Sequence, residues 1–213
     1  MRLLPPSRRA AVSGLAAMLL APAASAQTLS AQDKALVDTA VAYLQGLTHV
    51  RGRFEQTDER GRLSRGDFFL QRPGKVRFAY DSPTDLLVVS NGSVIGLHNK
   101  RLKTFEQGPL SASPLSIFLA KEIRLDRGVV VTQVRRFADG FSITARDGKK
   151  ETAGQIVLVF GGTPLALREW TTINPQGGRI RVVLTSLNRV ASLDPALFVV
   201  RDPRVRPGTA RPN

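Results

Sequence analysis

The chain has 213 residues, a formal net charge of +14 and no cysteine. The absence of cysteine excludes disulfides, thiolate metal sites and lipid attachment to a cysteine. The positive charge favours an anionic partner, with plain solubility as the alternative explanation. The sequence has no basic run interleaved with aromatic residues, the pattern that would indicate a nucleic-acid partner.

The N-terminus has the three parts of a secretory signal peptide. Three arginines lie in the first nine residues, an apolar run covers 10–23, and small residues at 24–26 give an A-x-A end. The apolar run is too short and too broken by glycine and proline to span a bilayer. We therefore expect cleavage after Ala26 and export of a mature chain, beginning near Gln27, to the periplasm.

The first structured element should be an amphipathic helix over 31–46. Ser30 is a typical N-cap residue, with an acidic residue three positions later. Gly46 suits the C-terminal end. Apolar side chains recur at helical spacing between them, at Leu36, Val37, Ala40, Val41 and Leu44.

The remainder predicts short strands separated by turn residues such as Pro73-Gly74 and Asn91-Gly92. The predicted strands cover 50–57, 63–72, 75–80, 86–90, 94–98, 102–106, 129–137, 141–146, 156–160, 165–173 and 179–187, with a final short strand over 198–200. Ser113 and Pro114 predict the start of a second amphipathic helix over 114–121. The proline- and arginine-rich segment 202–213 predicts a disordered basic tail.

These elements indicate an α+β fold that is mainly β, an antiparallel meander of about 10–11 strands in one domain over 27–201. So many strands in one sheet must curl or close. The concave side of a curled sheet is apolar and needs a cover, and the two amphipathic helices are the candidates.

The sequence offers no catalytic constellation. His49 and His98 each lie without a second ligand at metal spacing, and no phosphate-binding loop, nucleophile elbow or zinc-protease motif is present. The neighbouring acidic residues lie in turns, where carboxylates are solvated. We therefore expect neither an enzyme nor a protein with a metal or cofactor.

Four segments resemble the outer-membrane lipoprotein carrier (LolA-like) family in order and spacing. Segment 52–57 resembles its G/A-x-F-x-Q strand, and 66–80 (GDFFLQRPGKVRFAY) resembles G-x-[LF]-x-[LV]-x-R-P-x-x-[FL]-R-[WF]-x-Y. Segments 82–92 and 109–115 resemble the two motifs that come next in the sequences of this family. Val76 and Phe78 stand where the family more often has Phe or Leu and Trp, respectively.

The resemblance implies an unclosed antiparallel β-barrel with an α-helical lid over an apolar cavity. It also implies a monomeric periplasmic chaperone that carries triacylated lipoproteins. An inner-membrane ABC-type transporter loads such a carrier and an outer-membrane acceptor unloads it. Arg72 matches the family's R-P arginine, which hydrogen-bonds the lid and holds the empty carrier shut. There are two alternatives. One is a related carrier for a glycolipid or polyketide-type lipid, and the other is an envelope-stress regulator that binds a membrane protein.

Alternation along neighbouring strands predicts which side chains form the cavity wall. The inward rows of the strands and one face of the second helix supply the candidates. They are Val76, Phe78, Tyr80, Leu86 and Val88 from the sheet, with Leu115 and Phe118 from the lid.

Overall fold

The computed structural model describes residues 29–124, 128–149 and 154–202. The predicted signal peptide, and the predicted tail beyond residue 202, lie outside these described residues. No helix within them is both long and apolar enough to cross a membrane.

The described residues form eleven strands, two α-helices and two 3-10 helices. The helices are α1 (Ala31–Gln45), α2 (Leu115–Leu119) and the 3-10 helices Leu110–Ala112 and Pro195–Phe198. The strands are β1 (His49–Thr57), β2 (Leu63–Gln71), β3 (Lys75–Tyr80), β4 (Leu86–Asn91), β5 (Val94–Asn99), β6 (Thr104–Pro109), β7 (Val129–Phe137), β8 (Gly140–Asp147), β9 (Gln155–Gly161), β10 (Ala166–Ile173) and β11 (Arg179–Arg189).

All eleven strands belong to one antiparallel sheet. Its order is β6-β5-β4-β3-β2-β1-β11-β10-β9-β8-β7, so each strand pairs with a sequence neighbour except where β1 meets β11. Strands β6 and β7 form the two edges and do not pair with each other, which leaves the sheet unclosed. The predicted α+β, mainly β class and the strand number are confirmed.

The sheet is strongly curled. Phe78 on β3 and Trp170 on β10 are four strand steps apart, which would separate them by about 19 Å in a flat sheet. Their ring centroids are nevertheless only 5.9 Å apart. Both side chains therefore point into one concave interior, where the hydrophobic core also lies.

Helix α1 lies over this interior and starts and stops as predicted. The Ser30 hydroxyl accepts a hydrogen bond from the Asp33 amide, and the Gly46 amide bonds back to the last turn. Val37, Ala40 and Leu44 are buried.

The N-terminal end of α1 is also tied to the edge strand β7. The Arg136 guanidinium donates to Gln32 at 2.9 Å and pairs with the Asp33 carboxylate. Hydrogen bonds from Ser30 and Arg136 hold the pKa of Asp33 below its usual value.

Three predicted elements are wrong in type or in extent. The strand predicted over 198–200 is replaced by the 3-10 helix Pro195–Phe198, because the Asp194 carboxylate accepts from the Ala196 amide and proline occupies the first turn. Strand β6 begins at Thr104 rather than at 102, since Asn99 holds the preceding turn through the Leu102 amide. The second helix is shorter than predicted and follows a separate 3-10 turn.

Candidate functional site

The interior of the curled sheet contains a small, wholly apolar cavity. Its walls come from β1, β2, β3, β10 and β11, from the α1–β1 connection and from α2. They are Leu47, Val50, Phe68, Leu70, Val76, Phe78, Phe118, Leu167, Trp170, Leu184 and Leu187. The cavity measures about 20 Å³, which is room for about one water molecule and far too little for an acyl chain.

Helix α2 fills the remaining space with an aromatic side chain. Phe118 is buried, and its ring centroid lies 6.2 Å from that of Trp170. Trp170 in turn contacts Phe78 on the opposite side of the interior. A ligand that entered the space beside Trp170 would have to displace the Phe118 ring.

Arg72 holds α2 in this position. It lies in the β2–β3 turn, and its guanidinium donates to the backbone carbonyl of Ala120 at 2.8 Å and to that of Phe118. The same guanidinium lies 5.4 Å from the centre of the Phe118 ring. One planar cation therefore binds both the backbone and the ring of the lid, as its fork of five donors permits.

The Arg72 guanidinium is incompletely compensated. Burial lowers the pKa of Arg72 to about 10, which still leaves it cationic at neutral pH. Among the described residues its Nε is buried without a hydrogen-bond partner, and no carboxylate pairs with it. Neutral carbonyls thus offset only part of the cost of desolvating a charge.

The β2–β3 turn supplies a third bond to the same helix end. The Gly74 amide donates to the Leu119 carbonyl at 2.8 Å, between the two carbonyls that Arg72 binds. Gly74 has φ +71, and a Cβ there would lie 2.5 Å from the Gly92 backbone, so glycine is required. Three successive carbonyls at the end of α2 are therefore held by one turn.

Gln45, the last residue of α1, joins the two lid helices. Its side-chain amide donates to the Lys121 carbonyl at 2.9 Å and accepts from the Ile123 amide at 3.0 Å. The sequence did not predict this role, because a glutamine at the end of a helix is most often an ordinary solvent-exposed residue. The lid is therefore one unit, defined here as α1, α2 and the segment 120–124.

The predicted cavity residues divide into three groups. Val76, Phe78 and Phe118 line the cavity. Val88 and Leu115 are partly buried and pack against the core. Tyr80, which also packs against the core, and Leu86 line a separate groove at the far end of the strands from the lid.

Trp170 is not among the predicted cavity residues, although β10 was predicted. Strict alternation from Leu167 would place position 170 on the outer face. A register shift between Leu167 and Glu169 reverses the face, so Leu167 and Trp170 are both buried. Bulges of this kind have no reliable signal in a single sequence.

Within the described residues, no group of three or more His, Asp or Glu side chains is placed to hold a metal ion. The architecture defines a class of protein, in which a curled, unclosed sheet encloses an apolar interior that helices cover. The chain belongs to the family described as outer membrane lipoprotein carrier protein LolA, whose model matches residues 45–201.

Individual relatives have the corresponding name. An outer-membrane lipoprotein carrier protein of Methylobacillus flagellatus is 30% identical over 144 residues, which is 62% of this chain and 69% of that protein. One of Methylibium petroleiphilum is 29% identical over 99 residues, 42% of this chain and 49% of that protein. The chain thus spans about half to two thirds of the length of these relatives.

Solved structures also show similarity, at low identity. A LolA superfamily protein from Nitrosomonas europaea has a TM-score of 0.44 at 4% identity, covering 76% of this chain and 97% of that chain. The Mycobacterium tuberculosis lipoprotein LppX has a TM-score of 0.42 at 14% identity, covering 76% of this chain and 98% of that chain.

Proposed function

We propose that the protein is a non-enzymatic periplasmic carrier that binds the acyl chains of lipoproteins in its interior and shuttles them from the inner to the outer membrane. The observation that carries this proposal is the lid, whose Phe118 occupies the apolar interior and whose end is held by hydrogen bonds from Arg72. Family membership and the names of the relatives support it.

The energetics suit reversible carriage. Each buried CH2 contributes roughly 0.8 kcal/mol, so a long acyl chain gains on the order of 10 kcal/mol gross. A permanently open cavity would hold such cargo too tightly to release it. Because Phe118 and the chain compete for one space, closing the lid returns part of this energy and favours release.

The carrier would receive triacylated lipoproteins from an inner-membrane ABC-type transporter and deliver them to an outer-membrane acceptor. We expect it to act as a monomer, after removal of residues 1–26. N-terminal sequencing of the protein from a periplasmic extract should find Gln27 at or near the start. Recovery of residues 1–26 in a membrane fraction would contradict this.

Native mass spectrometry of the protein purified from periplasm tests the function directly. The expected result is a complex whose added mass matches an acylated protein or peptide. A glycolipid or polyketide-type lipid in its place would favour the related carrier over a lipoprotein carrier. Consistent recovery of an empty protein from cells with active lipoprotein export would overturn the proposal.

A further inference from the structure

The inner face of the sheet becomes polar at the end that lies away from the lid. On β1, the inward row that begins with Val50 and Phe54 ends with Gln56. On β2, Ser64 lies directly opposite Gln56. On β3, the row of Val76 and Phe78 ends with Tyr80.

These side chains line a groove of about 370 Å³, within the size range of small-ligand sites. Five neighbouring strands, β1 to β5, each contribute one inward residue to it. They are Gln56, Ser64, Tyr80, Leu86 and Asn99. Arg101, in the β5–β6 turn, is exposed at its rim. We name this feature the polar groove.

Hydrogen bonding inside the polar groove leaves donors unused. The Tyr80 hydroxyl donates to the Gln56 side-chain oxygen at 2.6 Å, and the Leu102 amide donates to the Asn99 side-chain oxygen at 2.9 Å. Each amide oxygen therefore accepts one hydrogen bond from within the protein. Within the described residues, neither amide nitrogen has an acceptor. Burial raises the pKa of Tyr80, so its hydroxyl stays neutral.

A ligand for such a site must supply acceptors. Ester and amide carbonyls accept hydrogen bonds, so they match the free N–H groups of Gln56 and Asn99. The Asp58 carboxylate also lines the groove, but it already accepts hydrogen bonds from the amides of residues 60 and 62 and from the Arg62 side chain. The rim arginine adds a cation, which also favours carbonyl or anionic oxygen.

One aromatic ring separates the polar groove from the apolar cavity. The ring centroid of Phe54 lies 5.4 Å from that of Phe78, which lines the cavity, and 5.1 Å from that of Tyr80, which lines the groove. The cavity and the groove are thus two ends of one interior, wholly apolar at the lid and of mixed polar and apolar lining at the far end. An amphiphile has the same division.

We propose that the polar groove binds the carbonyl-bearing junction of an acylated ligand, where ester and amide groups join the chains to the rest of the molecule. The chains would then extend past Phe54 towards the lid. This inference rests on the proposed function, because it assumes that acyl chains enter the cavity.

The test compares two synthetic tripalmitoylated cysteinyl peptides, one with natural ester links and one whose two ester carbonyls are replaced by methylene groups. The mature protein should bind the ester form about three- to tenfold more tightly, the effect of one neutral hydrogen bond. Gln56→Leu should abolish this preference while retaining affinity for the ether form. Thr57→Val, which alters the outward neighbour on β1, should keep the preference.

Tyr80→Phe provides a second variant if Gln56→Leu does not fold, as judged by its thermal unfolding. It removes only the hydroxyl that orients the Gln56 amide, and it should reduce the preference for the ester form. Equal binding of ester and ether peptides by the unaltered protein would overturn the polar groove assignment and leave the carrier function standing. Failure to bind either peptide would overturn the proposed function and the groove together.

Discussion

Arg72 bonds to two backbone carbonyls and not to a carboxylate. A charged hydrogen bond is worth about 1.5–3 kcal/mol, but a carbonyl does not neutralise the buried cation. The lowered pKa of Arg72 and its unpartnered Nε show that desolvation opposes the bonds. Desolvation therefore offsets part of the stabilisation from these hydrogen bonds, as the proposed function requires of a lid that has to open.

Replacing Arg72 tests this balance. In Arg72→Leu we expect the lid to shift towards its open state, by a factor on the order of 10 to 100 for the loss of one or two charged hydrogen bonds. The variant should still accept lipoprotein but release it poorly. Trp170 is the sole tryptophan of the chain and contacts Phe118, so its quenching by acrylamide should increase as the lid opens.

Two further variants separate the latch from a general effect. Arg72→Lys should restore closure only in part, since lysine lacks the planar fork. Arg77→Leu removes a comparable bond, from Arg77 to the Leu197 carbonyl, on the outer face of the sheet. It should leave Trp170 quenching unchanged. Normal transfer of preloaded cargo to outer-membrane acceptors by Arg72→Leu would show that Arg72 is not a latch.

Trp170 also reports whether acyl chains reach the cavity. Its side chain is 4% exposed and lines the cavity. A lipopeptide with bromine atoms on its acyl chains should quench Trp170 emission by contact, and an unbrominated lipopeptide should not. Bound brominated lipopeptide that leaves the emission unquenched would place the chains elsewhere.

At the scale of elements, local chemistry predicted most of the fold. Ser30 and Gly46 fixed the ends of α1, and the turn residues between strands fixed most strand limits to within a residue or two. The failures lie where a side chain competes with the strand pattern, as the Asp194 cap does before Phe198. The alternation of Phe198 with Val200 favoured a strand, and capping outweighed it.

This misassigned segment gives a prediction about stability. Phe198 is 3% exposed, and its 3-10 helix packs on β3 and β4 from the outer face of the sheet. Phe198→Ala should lower the free energy of unfolding by about 3 kcal/mol or more. Val199→Ala is the matched control, since Val199 is 52% exposed and should change stability by less than about 0.5 kcal/mol. Urea denaturation measures both, and equal midpoints would contradict the assignment.

The joint between the two lid helices gives a second prediction at this scale. Gln45→Leu removes both bonds to the segment 120–124, at a cost of about 1–2 kcal/mol. Hydrogen exchange at the Ile123 amide should accelerate markedly. Lys34→Ala, which breaks an exposed ion pair on the outer side of α1, should leave that exchange unchanged. Similar exchange at Ile123 in both variants would show that Gln45 does not hold the lid.

At the scale of the whole molecule, the sequence could predict that the sheet curls but not which side chains meet inside it. The contact of Phe78 with Trp170 depends on the pairing of β1 with β11 and on the bulge in β10. Neither is local, since the first joins residues more than a hundred positions apart. The motif around Arg72 singled out this residue through resemblance alone, and the carbonyls of Phe118 and Ala120 that it binds are visible only in the folded chain.

The net charge of the whole molecule leads to a prediction about the rate of delivery. The chain has a formal charge of +14, and loss of residues 1–26 would leave +11. Lys100 and Lys103 in the β5–β6 turn are exposed, and within the described residues neither has an acidic partner. Long-range attraction to an anionic membrane or acceptor should therefore accelerate encounter, typically by tenfold or more at low salt.

Salt should remove this acceleration, because the screening length falls from about 8 Å at physiological ionic strength to about 3 Å at 1 M. We expect the transfer rate to acceptor membranes to fall steeply between low and high salt. A double variant, Lys100→Glu with Lys103→Glu, lowers the formal charge by four and should transfer cargo more slowly than the unaltered protein at low salt. The transfer rates of the two proteins should converge at high salt, where salt screens the long-range attraction of both. Rates that differ equally at every salt concentration would instead indicate a direct contact through this turn, and a rate independent of salt would show that charge does not guide docking.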